Sequence, residues 1–180
     1  MTDTPIFDEL RRRTGPPGKD RSPAKIVVAG SSGVGKTTFV GAVSEVEPVS
    51  TEAAIDVGRI TLHPDLVLYL FGTSAQPQSG LGGAFGAVVL VDTRRIQESF
   101  APISYFEYSD IPFVVAVNRF DGALAHELDE VREALALTPA VPLTTCDARD
   151  PGSATRVLQE LVSHIMKLSG PDHTSPPWGR

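Results

Sequence analysis

Hydrophobic residues in this chain form short apolar runs separated by helical repeats. The runs typical of β-strands lie at 25–29, 55–62, 66–71, 87–91, 113–117 and 142–145. The two at 87–91 and 113–117 are apolar throughout, which predicts strands buried on both faces of a sheet. The segments 55–62 and 66–71 flank a short proline-containing connection and predict a hairpin.

Between these strands, apolar residues recur at spacings of three and four, which predicts amphipathic helices. The first is expected to end near Glu47, because Pro48 disfavours helix in the residue before it. The second begins near Asp92, with Pro102 as a kink or restart. The side chains expected to face the core are Ile96, Phe100, Ile103 and Phe106 in the second helix, Leu124, Leu128, Val131 and Leu135 in the third, and Val157, Leu158, Leu161, Val162, Ile165 and Leu168 in the last.

Alternating strands and helices with one hairpin predict an α/β fold. The expected architecture is a mostly parallel sheet with one antiparallel hairpin strand and helices on both faces. Ligands of such sheets bind beyond the carboxyl ends of the strands. The segments 30–38, 72–73, 118–121 and 146–149 all follow strand ends, so we expect them to meet in one crevice.

A chain of 180 residues with 41% hydrophobic residues is long enough for one globular domain with tails. Pro- and Gly-rich ends predict a flexible extension at 1–23, a domain at 24–168 and a disordered tail at 169–180. The run Arg11-Arg12-Arg13 in the extension is interpreted as a solvated tail in preference to a contact for an acidic partner or a phosphate.

Charge and cysteine content narrow the class of protein. Sixteen basic and 22 acidic residues give a net charge of −6, which argues against sequence-independent binding of nucleic acid or of an anionic membrane. The single Cys146 and the lack of a secretory signal favour the cytoplasm. No apolar run approaches the roughly 20 residues that span a bilayer, so membrane attachment is expected only through a partner.

The strongest motif is a phosphate-binding loop of the pattern G-x-x-x-x-G-K-[ST], placed between a predicted strand and a predicted helix. Its backbone N–H groups and the helix N-terminus favour a bound phosphate. Lys36 is expected to reach the β- and γ-phosphates, and the Thr37 hydroxyl to bind Mg²⁺. The predicted phosphate-binding residues are Gly30, Ser31, Ser32, Gly33, Val34, Gly35, Lys36, Thr37 and Thr38.

A second motif, Asn118-x-x-Asp121, follows a buried strand. The Asp121 carboxylate can accept hydrogen bonds from N1–H and the exocyclic amine of guanine, whereas adenine would leave it unpaired. Hydrogen bonds to charged groups contribute roughly 1.5–3 kcal/mol each. The motif therefore favours GTP and GDP over ATP, and it disfavours a small ATPase or kinase.

The chain resembles the Ras-like small GTPases and, within them, the conservon-type GTPases of bacteria. The resemblance covers roughly residues 24–168 and rests on these segments: KIVVAGSSGVGKTTFVGAVSEVEP, DVGRITLHPDLVLYLFGT, GAVVLVDTRR, PFVVAVNRFDG, ELDEVREALAL and TTCDARD. It implies a Mg²⁺-dependent GTP-binding domain. It also implies partners from one signalling set, namely a sensor-kinase-like membrane protein and small regulators.

The same resemblance implies which residues contact the base. Asn118 and Asp121 would recognise guanine, and Arg119 stands where many relatives have lysine. Its aliphatic stem can still cover the base plane. The segment Asp147-Ala148-Arg149 matches the loop in which the backbone N–H of the alanine meets the guanine O6.

The switch segments depart from the pattern of these relatives. In switch I, Glu52 stands at the position where these relatives have a Mg²⁺-binding threonine. The neighbouring Thr51 can take that role only if the alignment slips by one residue. In the second switch, Gly72 replaces the carboxylate that supports Mg²⁺, and Ala75 replaces a glycine that senses the γ-phosphate. Gln76 remains where the attacking water is oriented.

Two functional hypotheses follow from these features. In the first, the protein is a signalling switch with slow GTP hydrolysis, in which Lys36, Thr37 and Mg²⁺ hold the phosphates and Gln76 or a partner positions water. In the second, it is a hydrolysis-deficient or GDP-locked module that acts as an assembly partner. The altered switch segments leave both hypotheses open.

Overall fold

The computed structural model describes residues 22–50, 55–63, 66–73, 83–120 and 126–169. The strands in these ranges are Ser22–Gly30 (β1), Val49–Ser50 (β2), Ile55–His63 (β3), Leu66–Thr73 (β4), Ala84–Val91 (β5), Phe113–Asn118 (β6) and Leu143–Cys146 (β7). The helices are Lys36–Val43 (α1), Phe100–Glu107 (α2), Leu128–Ala134 (α3) and Pro151–Ser169 (α4), with a 3-10 helix at Thr93–Ser99.

The strands form a single sheet in the order β2-β3-β4-β1-β5-β6-β7. β3 pairs antiparallel with β2 and β4, which confirms the predicted hairpin, whereas the pairs from β4 through β7 are parallel. The two-residue β2 was not predicted from the sequence. It is too short to show a pattern of its own and is defined only by its pairing with β3. The carboxyl ends of β1, β4, β5, β6 and β7 therefore point to one edge.

Helices cover both faces of the sheet, as the sequence predicts. One buried cluster joins the sheet to α1 and α4 through Phe39, Val40, Leu158 and Leu161. The second joins it to α2 and α3 and includes Ile103, Phe106, Val131 and Leu135. Full burial of one such side chain contributes roughly 1.5–3 kcal/mol, so the two clusters explain why short helices are stable here.

Helix α1 is shorter than predicted, since it ends at Val43 and not near Glu47. Contacts with β3 stop it. The Ser44 Oγ accepts a hydrogen bond from the Arg59 N–H at 3.0 Å, and the Glu45 N–H donates to the Arg59 carbonyl at 2.7 Å. The backbone of 44–45 thus continues against the hairpin, and the proline at position 48 does not set the end of the helix.

The helical repeat after Asp92 is divided into a 3-10 helix and α2, and Arg95 has non-helical dihedral angles. The restart therefore comes at Phe100, before Pro102. Among the described residues that were predicted to face the core, two are exposed instead, and Leu124 lies outside the described residues. Phe100 is 42% exposed at the start of α2, and Leu168 is 62% exposed in the last turn of α4. In the described part of the chain, no helix is both long enough and apolar enough to cross a membrane.

Candidate functional site

The predicted phosphate-binding loop connects β1 to α1, as its motif requires. Gly30, Gly33 and Gly35 have φ angles of 138°, 72° and 104°, a region that L side chains rarely adopt. Val34 is fully buried within the loop and anchors it to the core. The loop thus turns within a few residues, with its backbone N–H groups preceding a helix N-terminus.

Lys36 is the first residue of α1 and is only 8% exposed. Its Nζ donates hydrogen bonds to the carbonyls of Gly30 at 3.0 Å and Ser31 at 2.6 Å. Burial lowers the pKa of Lys36 below its usual range, and the nearby Asp56 carboxylate opposes that change. The ammonium group is therefore folded into the loop, within reach of any phosphate bound there.

Thr37 lies beside Lys36 and contacts a residue that the sequence analysis missed. Its Oγ1 donates a hydrogen bond to the Asp56 Oδ2 at 2.5 Å. Asp56 is the second residue of β3, so the contact joins α1 to the hairpin. The available signal was the only carboxylate of β3, placed near the start of that strand.

Asn118, the last residue of β6, bridges two loops. Its Nδ2 donates to the Val34 carbonyl at 2.8 Å, and its Oδ1 accepts from the Ala148 N–H at 3.0 Å. Both bonds are buried. The phosphate loop and the loop after β7 are consequently held together by one side chain, as the predicted convergence of these segments requires.

The remaining predicted base-contacting residues lie on the loops after β6 and β7. The Arg119 N–H donates to the Cys146 carbonyl at 2.6 Å, which aligns the two loops. The Arg149 side chain pairs with Asp147, with Nε to Oδ1 at 3.1 Å, and this hydrogen bond lowers the pKa of the Asp147 carboxyl. Arg149 thus forms a local pair within its own turn.

Two arginines after β5 extend the site, and the sequence analysis did not identify them. The buried Asp92 carboxylate accepts hydrogen bonds from Arg94 Nε and Nη2, both at 2.9 Å, and these bonds lower its pKa. The Arg94 guanidinium lies 4.0 Å from the ring centre of Phe120. Arg95 Nη2 donates to the Ser32 carbonyl at 2.9 Å. The run Asp-Thr-Arg-Arg after a buried strand was the signal.

Several predicted site residues lie outside the described residues. They are Thr51, Glu52, Ala75, Gln76 and Asp121. Within the described ranges no group of three or more histidine, cysteine or acidic side chains is placed to hold a metal ion. Burial raises the pKa of Cys146 to about 11, so its thiol is neutral near pH 7 and packs as an apolar side chain.

The sheet order and the glycine-rich loop before α1 are those of a P-loop fold, and solved small-GTPase structures share this fold. The G domain of the T. maritima FeoB iron transporter matches with a TM-score of 0.57 and 16% identity, over 82% of this chain and 99% of that one. The nucleotide-analogue-bound Arl6 (BBS3) small GTPase from Trypanosoma brucei matches with a TM-score of 0.64 and 16% identity, over 81% and 98%. At 16% identity, the similarity to these two structures establishes the fold alone.

Residues 51–168 match the family model described as a conserved hypothetical ATP binding protein, and the chain belongs to that family. The matched range begins after the phosphate loop, so the family assignment and the loop motif are independent observations. No curated protein matches the chain. The narrower resemblance to the conservon type stays a prediction.

The Asn118 bridge gives a stability prediction. Asn118→Ala is expected to lower the free energy of unfolding by about 2–6 kcal/mol, since the buried Val34 carbonyl and Ala148 N–H each lose a partner at roughly 1–3 kcal/mol. Urea denaturation measures the change. The isosteric Asn118→Asp replaces the donor to Val34 with a carboxylate oxygen that repels this carbonyl, and it is expected to be destabilised as well. Wild-type stability of Asn118→Asp would show that side-chain volume, not hydrogen bonding, matters here.

Proposed function

We propose that this protein binds guanine nucleotides and acts as a signalling switch with slow hydrolysis of GTP to GDP and phosphate. The observation that carries the proposal is the Asn118 bridge. It joins the phosphate loop at Val34 to the loop at Ala148. The segments assigned to the phosphates and to the base are therefore neighbours at one edge of the sheet, where a single nucleotide can contact both.

The base assignment rests on Asp121, three positions after the end of β6. Its carboxylate suits the two donors on the Watson–Crick edge of guanine, whereas the name of the family refers to ATP. The Ala148 N–H is already used by Asn118 in the structure. Recognition of guanine thus depends chiefly on Asp121, with Arg119 covering the base plane.

In the proposed mechanism, this chain's residues bind and orient the phosphates. Lys36 donates to the β- and γ-phosphate oxygens, and backbone N–H groups of 33–38 surround the β-phosphate. The residues fit Mg²⁺, because the Thr37 hydroxyl is a hard oxygen ligand that donates its own hydrogen bond to Asp56 and would keep its lone pairs for the cation. Bound Mg²⁺ supplies neutralisation of phosphate charge. Gln76 orients the attacking water, and transfer of the phosphoryl group to that water gives GDP and phosphate.

Calorimetric titration of nucleotide-free protein with GDP, GTP and ATP in Mg²⁺ tests the proposal. GDP and GTP are expected to bind, with ATP weaker by about 10³-fold or more. Asp121→Asn should lose guanine nucleotides and gain xanthine nucleotides, since an amide can donate to the xanthine 2-carbonyl. That gain serves as the folding control for the variant. Tight ATP binding with no effect of Asp121→Asn would overturn the guanine assignment.

Phosphate release distinguishes the switch from the GDP-locked module. Slow release from bound GTP that is reduced in Gln76→Ala supports hydrolysis by this site. GDP binding with no turnover supports the assembly module instead. The cytoplasmic location and the partners, a sensor-kinase-like membrane protein and small regulators, remain predictions from the resemblance.

A further inference from the structure

The end of β4 lacks a side chain where the related GTPases have a Mg²⁺-supporting carboxylate. That position is Gly72, the last but one residue of β4. A carboxylate is nevertheless present one strand away. Asp56 of β3 lies directly opposite Gly72 in the antiparallel ladder. Opposite residues of such a pair have Cβ positions about 4.5–5.5 Å apart, so their side chains share one small region.

We propose that Asp56 replaces the missing carboxylate and supports Mg²⁺ binding from β3. The proposal rests on the proposed function, since it concerns the cation that accompanies the bound nucleotide. It assigns a role to a residue outside the phosphate loop and outside both switch segments. Asp56 is a positioning residue in this assignment, because it acts through the Thr37 hydroxyl.

The geometry at Gly72 is the first argument. A Cβ built on Gly72 lies 3.7 Å from the Asp56 Cβ and 3.4 Å from the Val40 Cγ2. A side chain at 72 and the side chain of Asp56 would therefore begin in van der Waals contact and enter the same space. Only one of the two needs to carry the carboxylate, and this chain places it on β3.

The hydrogen bond to Thr37 is the second argument. A threonine hydroxyl has one proton and two lone pairs. Asp56 Oδ2 accepts that proton at 2.5 Å, which leaves the oxygen lone pairs of Thr37 for a cation. Carboxylates that orient a metal ligand in this way commonly change metal affinity by about 10- to 100-fold when they are removed. Asp56 also lies close to Lys36: burial lowers the pKa of the Lys36 ammonium group, and the Asp56 carboxylate partly opposes that change.

The test measures how nucleotide release depends on the Mg²⁺ concentration, and it requires no turnover. Fluorescent GDP is loaded, and its release is followed by dilution into excess unlabelled GDP at Mg²⁺ concentrations from zero (EDTA) to saturation. Wild-type protein is expected to release nucleotide faster in EDTA. Asp56→Asn keeps the shape but removes the charge, and it is expected to raise the half-maximal Mg²⁺ concentration by about 10-fold or more. Release in EDTA should stay near the wild-type rate.

A relocated carboxylate provides the sharpest variant. Gly72 has ordinary contacts around an added Cβ and no positive φ, so Gly72→Asp is sterically acceptable. Asp56→Ala should shift the Mg²⁺ midpoint as Asp56→Asn does, and Asp56→Ala combined with Gly72→Asp should return it toward wild type. Asp110→Asn, an exposed carboxylate at the far end of the sheet, is the matched control and should change nothing.

The outcomes separate this inference from the proposed function. If wild-type protein binds no guanine nucleotide, the proposed function fails. If wild-type release depends on Mg²⁺ but Asp56→Asn has an unchanged midpoint, the role of Asp56 is overturned while nucleotide binding stands. A folded double variant that behaves like Asp56→Ala also overturns it, because the carboxylate at 72 then fails to substitute.

Discussion

Lys36→Ala is expected to weaken GDP and GTP binding by about 10²- to 10⁴-fold. The ammonium group can donate to two phosphate oxygens, and each such hydrogen bond to a charged group contributes roughly 1.5–3 kcal/mol. Its position supports this size of effect, since it is 8% exposed and held by the loop carbonyls of Gly30 and Ser31. Calorimetry with both nucleotides measures the loss.

Lys167→Ala is the matched control for this experiment, because it removes the same charge from the exposed last turn of α4. It should bind nucleotide as wild type does. Thermal denaturation of both variants checks that they are folded. An affinity of Lys36→Ala within about threefold of wild type would mean that nucleotide does not occupy the loop before α1, and the proposed site would be wrong.

Gly35→Ala is expected to lower the free energy of unfolding by about 2–6 kcal/mol. Gly35 has a φ of 104°, and a Cβ there would lie 2.7 Å from the Asn118 Nδ2. Backbone strain of this kind costs about 1–3 kcal/mol, and forcing an atom into a packed site costs about the same again. The displaced Asn118 amide would also disturb its hydrogen bond to Val34. Urea denaturation measures the stability, and calorimetry the loss of nucleotide affinity.

Gly83→Ala separates the two contributions. Gly83 has a φ of 76°, and no atom of the described residues lies within 4 Å of an added Cβ. This variant therefore carries the strain without the collision, and it is expected to be less destabilised than Gly35→Ala. Equal losses in the two variants would contradict the argument that contact with Asn118 makes Gly35 irreplaceable.

The site is built from contacts between loops that follow different strands at the carboxyl edge of the sheet. Asn118 joins the phosphate loop to the loop after β7, and Arg95 joins the same phosphate loop to the 3-10 helix at the Ser32 carbonyl. Arg94 packs on Phe120, the residue before Asp121. Together, the contacts of Asn118 and Arg95 explain how a loop with three positive-φ glycines is held in one conformation.

The sequence by itself determined the fold class and the phosphate loop. Apolar runs such as 87–91 and 113–117 depend only on local composition, and they became β5 and β6. The glycine pattern before Lys36 likewise depends on local backbone angles. Such features lie within a few neighbouring residues, so periodicity and motif spacing are sufficient to predict them.

Only the tertiary structure decided how the site is completed. The contact between Thr37 and Asp56 spans 19 positions, and that between Asn118 and Val34 spans 84. The early end of α1 has the same origin, since Ser44 is held by the backbone of β3. Contacts of this kind depend on strand order and register, which local patterns do not encode. The sequence therefore located the predicted phosphate-binding loop, and the sheet brought Asp56 and Asn118 to it.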